Sequence, residues 1–173
     1  MEFAIVASTP GTLIDGARMY AAAADDVNER HPNSLHVLSH LLGMAIELAL
    51  KAFLLNGGLT EHDLRRLGHD LRALLKEAEV LGLTSTGSRH FRLSVLGANY
   101  EDRIFAYPEE GVLTIILPDR LREIAHELIC EVFVSVKGEE TFSQLQTEPG
   151  LSIQSVYPDD VDASFWAVSS KKL

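Results

Sequence analysis

Residues 35–55 read LHVLSHLLGMAIELALKAFLL and are followed by Asn56-Gly57-Gly58, a strong helix stop. At about 100° per residue, six positions between 33 and 51, five of them polar and one a glycine, fall within an arc of about 80° around the helix axis. Nearly all other positions are apolar or small, which is typical of a helix buried on most sides. The stretch therefore predicts the central helix of a bundle, over 33–56. Its polar stripe faces either water or a groove shared with a neighbour, and consists of Asn33, His36, His40, Gly43, Glu47 and Lys51.

The same window is long enough to cross a membrane, since about 20 apolar residues suffice. Glu47 and Lys51 argue against that reading, because a charge near the centre of a span costs about 2.5–3.5 kcal/mol. The N-terminus has an acid at Glu2 and no basic segment, which disfavours a signal peptide. We therefore expect no membrane partner.

Composition bounds the class of protein. The chain has 173 residues, which predicts a single domain with at most an appendage. Its net charge of −10 gives no general attraction to nucleic acid or to anionic lipid. Cys130 is the single cysteine, so no intrachain disulfide forms and a cytoplasmic, reducing location is expected.

Outward from the central stretch, helical periodicity and stop signals predict a mainly α fold, an up-and-down bundle of about five helices within residues 1–138. A capping-box-like start at Thr60 introduces a short helix that Gly68 interrupts. The predicted helices cover 10–29, 33–56, 60–67, 69–81, 89–105 and 118–136.

Two segments depart from this pattern. Residues 112–117, VLTIIL, are rich in β-forming residues and predict a short β element. Residues 139–173 lose the helical period but contain Trp166 and other large apolar side chains. We expect an extended C-terminal arm that packs on its own bundle or on a second subunit.

Three segments, in this order and spacing, resemble the HEPN superfamily, small helical bundles found in prokaryotic toxin–antitoxin and defence proteins. The resemblance covers about 33–136. Its segments are AIELALKA at 45–52 with Gly57, Gly68-His69-Asp70-Leu71 with Leu74, Leu75 and Ala78, and Asn99-Tyr100 with Arg103, Tyr107 and Pro108.

Many HEPN proteins are metal-independent ribonucleases, in which an Arg and a His with four to six residues between them act across a dimer. Arg120 and His126 match that spacing, but Leu121 and Leu128 stand where active members usually carry a polar residue and a tyrosine. Other branches bind nucleotides or RNA, or hold partners together. The resemblance thus implies a non-catalytic binding or regulatory module that engages a partner protein or RNA, with a dimeric toxin-type ribonuclease as the alternative. It also implies a homodimer and leaves open whether the chain is an enzyme.

The candidate catalytic residues are Arg120, Arg122 and His126. On an unbroken helix Arg120 and His126 lie about 120° apart, whereas Arg122 and His126 lie about 40° apart. A histidine near neutral pH accepts a proton from a ribose hydroxyl while an arginine holds the phosphate. The alternative is a solvated helix face.

The candidate binding groove runs along the polar stripe. His36 and His40 are spaced to share a metal ion, but no third ligand is evident, so no metal or cofactor is predicted. Glu47 and Lys51 predict an ion pair, and His69 donates either to a carbonyl or to Glu47. Tyr100 and Tyr107 lie near Arg103 on the predicted helix 89–105. Either these side chains bind a phosphate or a base, or the tyrosines pack and Arg103 forms an ion pair with an acidic side chain. The full predicted groove is His36, His40, Glu47, Lys51, His69, Asp70, Tyr100, Arg103 and Tyr107.

Overall fold

The structure is a computed structural model that describes residues 8–84, 87–101, 116–139 and 141–143. Throughout these residues the regular structure is α-helical and contains no strand, which confirms the mainly α prediction. The helices are α1 (Pro10–Arg30), α2 (Leu35–Asn56), α3 (Glu61–Leu67), α4 (Leu71–Val80), α5 (Gly87–Glu101) and α6 (Pro118–Lys137).

Helix α2 is the centre of the bundle, as its sequence predicts. It packs against α1, α6, α4 and α5, while α1 and α6 also pack against each other. By length and composition α2 also qualifies as a candidate membrane span, but 61% of its most apolar window is buried inside the bundle. Such burial is typical of a core helix, because a helix that is apolar on most sides needs neighbours on most sides.

Side-chain caps fix where α3 and α4 begin. Thr60 and Asp63 form the predicted capping box of α3, in which each side chain accepts from the other's backbone N–H. The Thr60 hydroxyl and N–H hold the pKa of Asp63 below its ordinary value. Helix α4 begins after Asp70, whose Oδ1 accepts from the N–H groups of Arg72 and Ala73 at 2.9 and 3.1 Å. His69 therefore lies just before the cap rather than inside the helix.

Most of the remaining bounds lie within one residue of the prediction, but three regions differ further. Helix α2 begins at Leu35 rather than at 33, and α5 begins at Gly87, two residues before the expected start. Past Gly138, residues 139 and 141–143 are helical rather than extended. The reason lies in packing, because the ring of Phe142 lies 6.0 Å from that of Phe133 on α6. Of the predicted β element only 116–117 are described, and they form no strand; the rest of that element and of the arm, with Trp166, lies outside the described residues.

Candidate functional site

A buried carboxylate on α2 gathers three donors from three parts of the chain. Glu47 has a side chain only 3% exposed. Its Oε1 accepts from Lys51 Nζ at 2.6 Å, and its Oε2 accepts from the Tyr100 hydroxyl at 2.9 Å. His69 Nδ1 lies 2.9 and 3.0 Å from the two oxygens. These four residues, Glu47, Lys51, His69 and Tyr100, are called the Glu47 cluster below.

A glycine one turn before Glu47 makes room for the tyrosine. A Cβ at Gly43 would lie 2.6 Å from Cδ2 and Cε2 of Tyr100, closer than carbon atoms approach. The aromatic ring therefore lies directly on the backbone of α2, where its hydroxyl reaches Glu47 and lies 2.8 Å from Met44 Sδ. Gly43 belongs to the polar stripe that the sequence predicts, and its role there is to seat the ring.

The Glu47 carboxylate determines which ring nitrogen of His69 carries the hydrogen of the neutral imidazole. An ionised carboxylate is acceptor-only, so His69 Nδ1 carries the hydrogen and Nε2 is left with a lone pair when the ring is neutral. The His69 side chain is 66% exposed, so the cluster opens to solvent at this ring. Burial, and then the negative charge of Glu47, raise the pKa of the Tyr100 phenol above its ordinary value, so Tyr100 remains a donor.

The rest of the predicted groove is only partly assembled around this cluster. His40 is half-buried, with its ring 6.2 Å from that of Tyr100, and His36 is exposed one turn earlier on α2. Asp70 caps α4 and does not join Glu47. Arg103 and Tyr107 lie outside the described residues. Across the described ranges no three histidine, cysteine or acidic side chains are close enough to hold a metal ion.

A second polar cluster joins α1 to α6. Arg122 Nε donates to Asp25 Oδ1 at 2.7 Å. His126 Nε2 lies 3.1 Å from Oδ2 and 3.3 Å from Oδ1 of the same carboxylate, with the hydrogen bond directed at Oδ1. The His126 side chain is only 4% exposed, and those of Asp25 and Arg122 are 12% and 22% exposed. These residues, Asp25, Arg122 and His126, are called the Asp25 cluster below.

The third predicted catalytic residue lies apart from this cluster. Arg120 is exposed and donates to Glu123 at 2.7 and 3.0 Å, and this carboxylate raises the pKa of its guanidinium. The structure thus brings Arg122 together with His126, as their 40° separation predicts, and leaves Arg120 on another part of the surface. Sequence reasoning missed Asp25, whose only signal was an acidic position off the apolar face of α1.

Comparison with known proteins identifies no relative. No family model, no curated protein and no solved structure matches the chain.

Proposed function

We propose that this chain is a non-catalytic, HEPN-like binding module that engages a partner protein or RNA through the polar side of α2. The observation that carries the proposal is the Glu47 cluster. It holds an ammonium and an imidazole in fixed positions, with the imidazole 66% exposed. Preorganised polar groups that reach the surface lower the entropic cost of binding a partner.

The charges near the cluster fit a polar partner rather than an apolar one. Lys51 and Glu47 compensate each other, and Arg72 and Asp70 form a second, looser pair at 3.8 Å. A surface of short-range paired charges and exposed histidines presents many hydrogen-bonding groups with little net attraction. Such a surface favours recognition by geometry, which suits a chain whose net charge of −10 repels anions at long range.

Site-specific photo-crosslinking tests this proposal in cells that express the full chain. A crosslinking amino acid at His36, which is exposed on the polar side of α2, is expected to capture a discrete protein or RNA species. Position 135 is the matched control, because Ser135 is exposed and contacts Asn56 at the opposite end of α2. Equal capture at both positions, or none at His36, contradicts a binding site on the polar side of α2.

A second candidate function, a metal-independent ribonuclease acting as a dimer, is favoured by one observation. Arg122 and His126 meet on Asp25, so an arginine, an imidazole and a carboxylate share one site. Incubation of RNA with the pure protein in chelator tests it, with His126→Ala as the inactive control. Cleavage by both proteins, or by neither, counts against the ribonuclease.

The proposed module is a homodimer to which the C-terminal arm contributes. Light scattering on the full chain and on a chain ending at Lys137 tests this. A full-length monomer at micromolar concentration contradicts the dimer, and a dimer that persists after truncation contradicts only the contribution of the arm.

A further inference from the structure

Helices α1 and α2 each carry a second row of apolar or small residues beside the residues that they bury in the core. Within these rows the members recur at intervals of three, four and seven residues, which is the spacing of a helix side that packs against another helix. The rows consist of Leu13, Gly16, Tyr20, Ala23 and Val27 on α1 and of Val37, Leu41, Met44, Leu48 and Leu55 on α2.

The two rows lie side by side. A Cβ at Gly16 would lie 3.3 Å from Cδ1 of Leu48, so these positions are close to level in the antiparallel hairpin. Both helices rise by about 1.5 Å per residue, so each step toward the end of α1 corresponds to a step toward the beginning of α2. Tyr20 is therefore level with Met44, and the rows stay adjacent over most of their length. Together they form one surface, called the α1–α2 face below.

None of the described helices buries this face. Tyr20 and Val37 are exposed, and the other members are only partly buried. Contiguous apolar surface of this kind is typical of sites where proteins associate. Tyrosine and methionine are enriched at the centres of such sites, and here Tyr20 and Met44 lie near the middle of the rows.

We propose that the α1–α2 face binds the same face of a second copy of this chain, so that two hairpins form a four-helix bundle. The inference rests on the proposed function, in which the module is a homodimer, and it names the interface. Rows with this spacing pack best against helices that carry the same spacing, and a second copy supplies two such rows. In a twofold dimer each copy contributes the same surface.

The face also lacks the charges that would keep two copies apart. Chains that each carry a net charge of −10 repel one another, so they approach most readily through a surface without acidic groups. None of the ten positions in the rows is acidic or basic. Lys51 occupies the next position of the α2 row after Leu48, and its charge is compensated by Glu47.

The size of the face is sufficient for a specific dimer. At a rise of 1.5 Å per residue, the rows on α1 and α2 are about 21 and about 27 Å long, and two packed helices are about 20 Å wide. The face thus covers about 500 Å² on each chain. Two copies would bury about 1,000 Å², which reaches the lower bound for a specific interface.

Sedimentation analysis of the full chain and of Val37→Glu, at micromolar concentrations, tests the proposal. Val37 is 50% exposed and lies in the first turn of α2, where an acidic side chain favours the helix, so the variant is compatible with folding. We expect the full chain to dimerise. The substitution should weaken the dimer about a hundredfold, because each copy would bury an unpaired charge in the interface.

Val80→Glu is the matched control, because Val80 is 74% exposed and lies on α4, outside the face. This variant should dimerise like the full chain. A photo-crosslinking amino acid at position 37 of the pure protein should join two copies, and one at position 80 should not.

A full chain that stays monomeric, or equal weakening by the two substitutions, overturns the proposal. A crosslink from position 37 to residues 144–173 of the same chain assigns the face to the C-terminal arm and also overturns it. A dimer that withstands Val37→Glu overturns the interface but leaves the proposed homodimer standing, whereas a monomer contradicts both. Capture of a different protein or of RNA at His36 tests the proposed binding function separately, so the two failures are distinguishable.

Discussion

Two carboxylates in this bundle each hold one basic side chain and one imidazole, but the burial of their partners is opposite. Glu47 is 3% exposed and holds an imidazole that is 66% exposed. Asp25 is 12% exposed and holds an imidazole that is 4% exposed. In the Glu47 cluster the charge is enclosed and the titratable ring reaches solvent. In the Asp25 cluster the ring is enclosed and joins two helices. Similar polar groups therefore present an exposed imidazole at the surface in the Glu47 cluster and join two packed helices in the Asp25 cluster.

Removal of Glu47, the more buried of the two carboxylates, should lower the free energy of unfolding by the largest amount. Glu47→Ala leaves the Lys51 ammonium, which is 17% exposed, and the buried Tyr100 hydroxyl without their acceptor. We expect the free energy of unfolding to fall by about 3 kcal/mol, as for other broken buried pairs. Urea denaturation measures it. Glu61→Ala removes the exposed pair with Arg65 and should cost at most about 0.5 kcal/mol. Equal losses in the two variants would show that burial does not govern the Glu47 cluster.

Removal of Asp25, the less buried carboxylate, should lower the free energy of unfolding by a smaller amount. Asp25→Ala leaves Arg122, which is 22% exposed and also lies 3.7 Å from Asp119, so water and a second acid partly compensate it. We expect a loss of about 2 kcal/mol in the same denaturation assay, part of it from the loss of the buried His126 contact. A loss greater than that of Glu47→Ala would reverse the comparison between the clusters.

A methyl group at Gly43 tests the packing beneath the Glu47 cluster. Alanine is the better helix former by about 1 kcal/mol, but its Cβ at Gly43 meets the Tyr100 ring at 2.6 Å. We expect the clash to prevail, with a net loss of about 1–2 kcal/mol. Gly16→Ala on α1 is the matched control, because its Cβ meets only a terminal methyl group of Leu48 at 3.3 Å. That variant should be neutral or slightly stabilised, and similar losses in both would remove the special role of Gly43.

A rise to alkaline pH should lower the free energy of unfolding by a smaller amount than any of these three substitutions. The pKa of Tyr100 is higher in the folded protein than in the unfolded chain, through burial and Glu47. The unfolded chain therefore releases this proton first as the pH rises above about 10, so the contribution to stability is complete below that pH and decreases above it. Denaturation at pH 8 to 11 measures this decrease, and Tyr100→Phe should lessen it. An unchanged pH dependence in Tyr100→Phe would assign the decrease to other groups.

The central part of the Glu47 cluster was predictable because it depends on local geometry. Glu47 and Lys51 are one helical turn apart, and their pairing follows from that spacing alone. The choice of Glu47 as the partner of His69 was one of two stated alternatives, and the structure selects it. The hydrogen bond from Tyr100 to Glu47 was not predicted, because the sequence assigned the tyrosines either to a phosphate or base or to packing, and assigned the pairing with an acid to Arg103.

The Asp25 cluster shows why the rest was not predictable. Arg122 and His126 are neighbours on one helix, which angular arithmetic detects. Their acceptor lies 97 residues from Arg122, and its position depends on how α1 is rotated against α6. Periodicity identifies the buried face of a helix but does not say which neighbour covers its edge. Many acidic positions on a chain of net charge −10 were equally eligible.

The packing of α1 against α6 also bears on the order in which the chain folds. Helices α1 and α2 are joined by four residues, 31–34, so their contacts form at little entropic cost. Contacts between α1 and α6 span 122 residues at Asp15 and Lys137, and their formation requires closure of a long loop. During synthesis the α1–α2 hairpin emerges with one apolar side still uncovered, and α6, which begins 62 residues and ends 81 residues after α2, covers it only later. Until α6 is made, the apolar surface of α1 and α2 that it covers is exposed, and such surface promotes association with other chains.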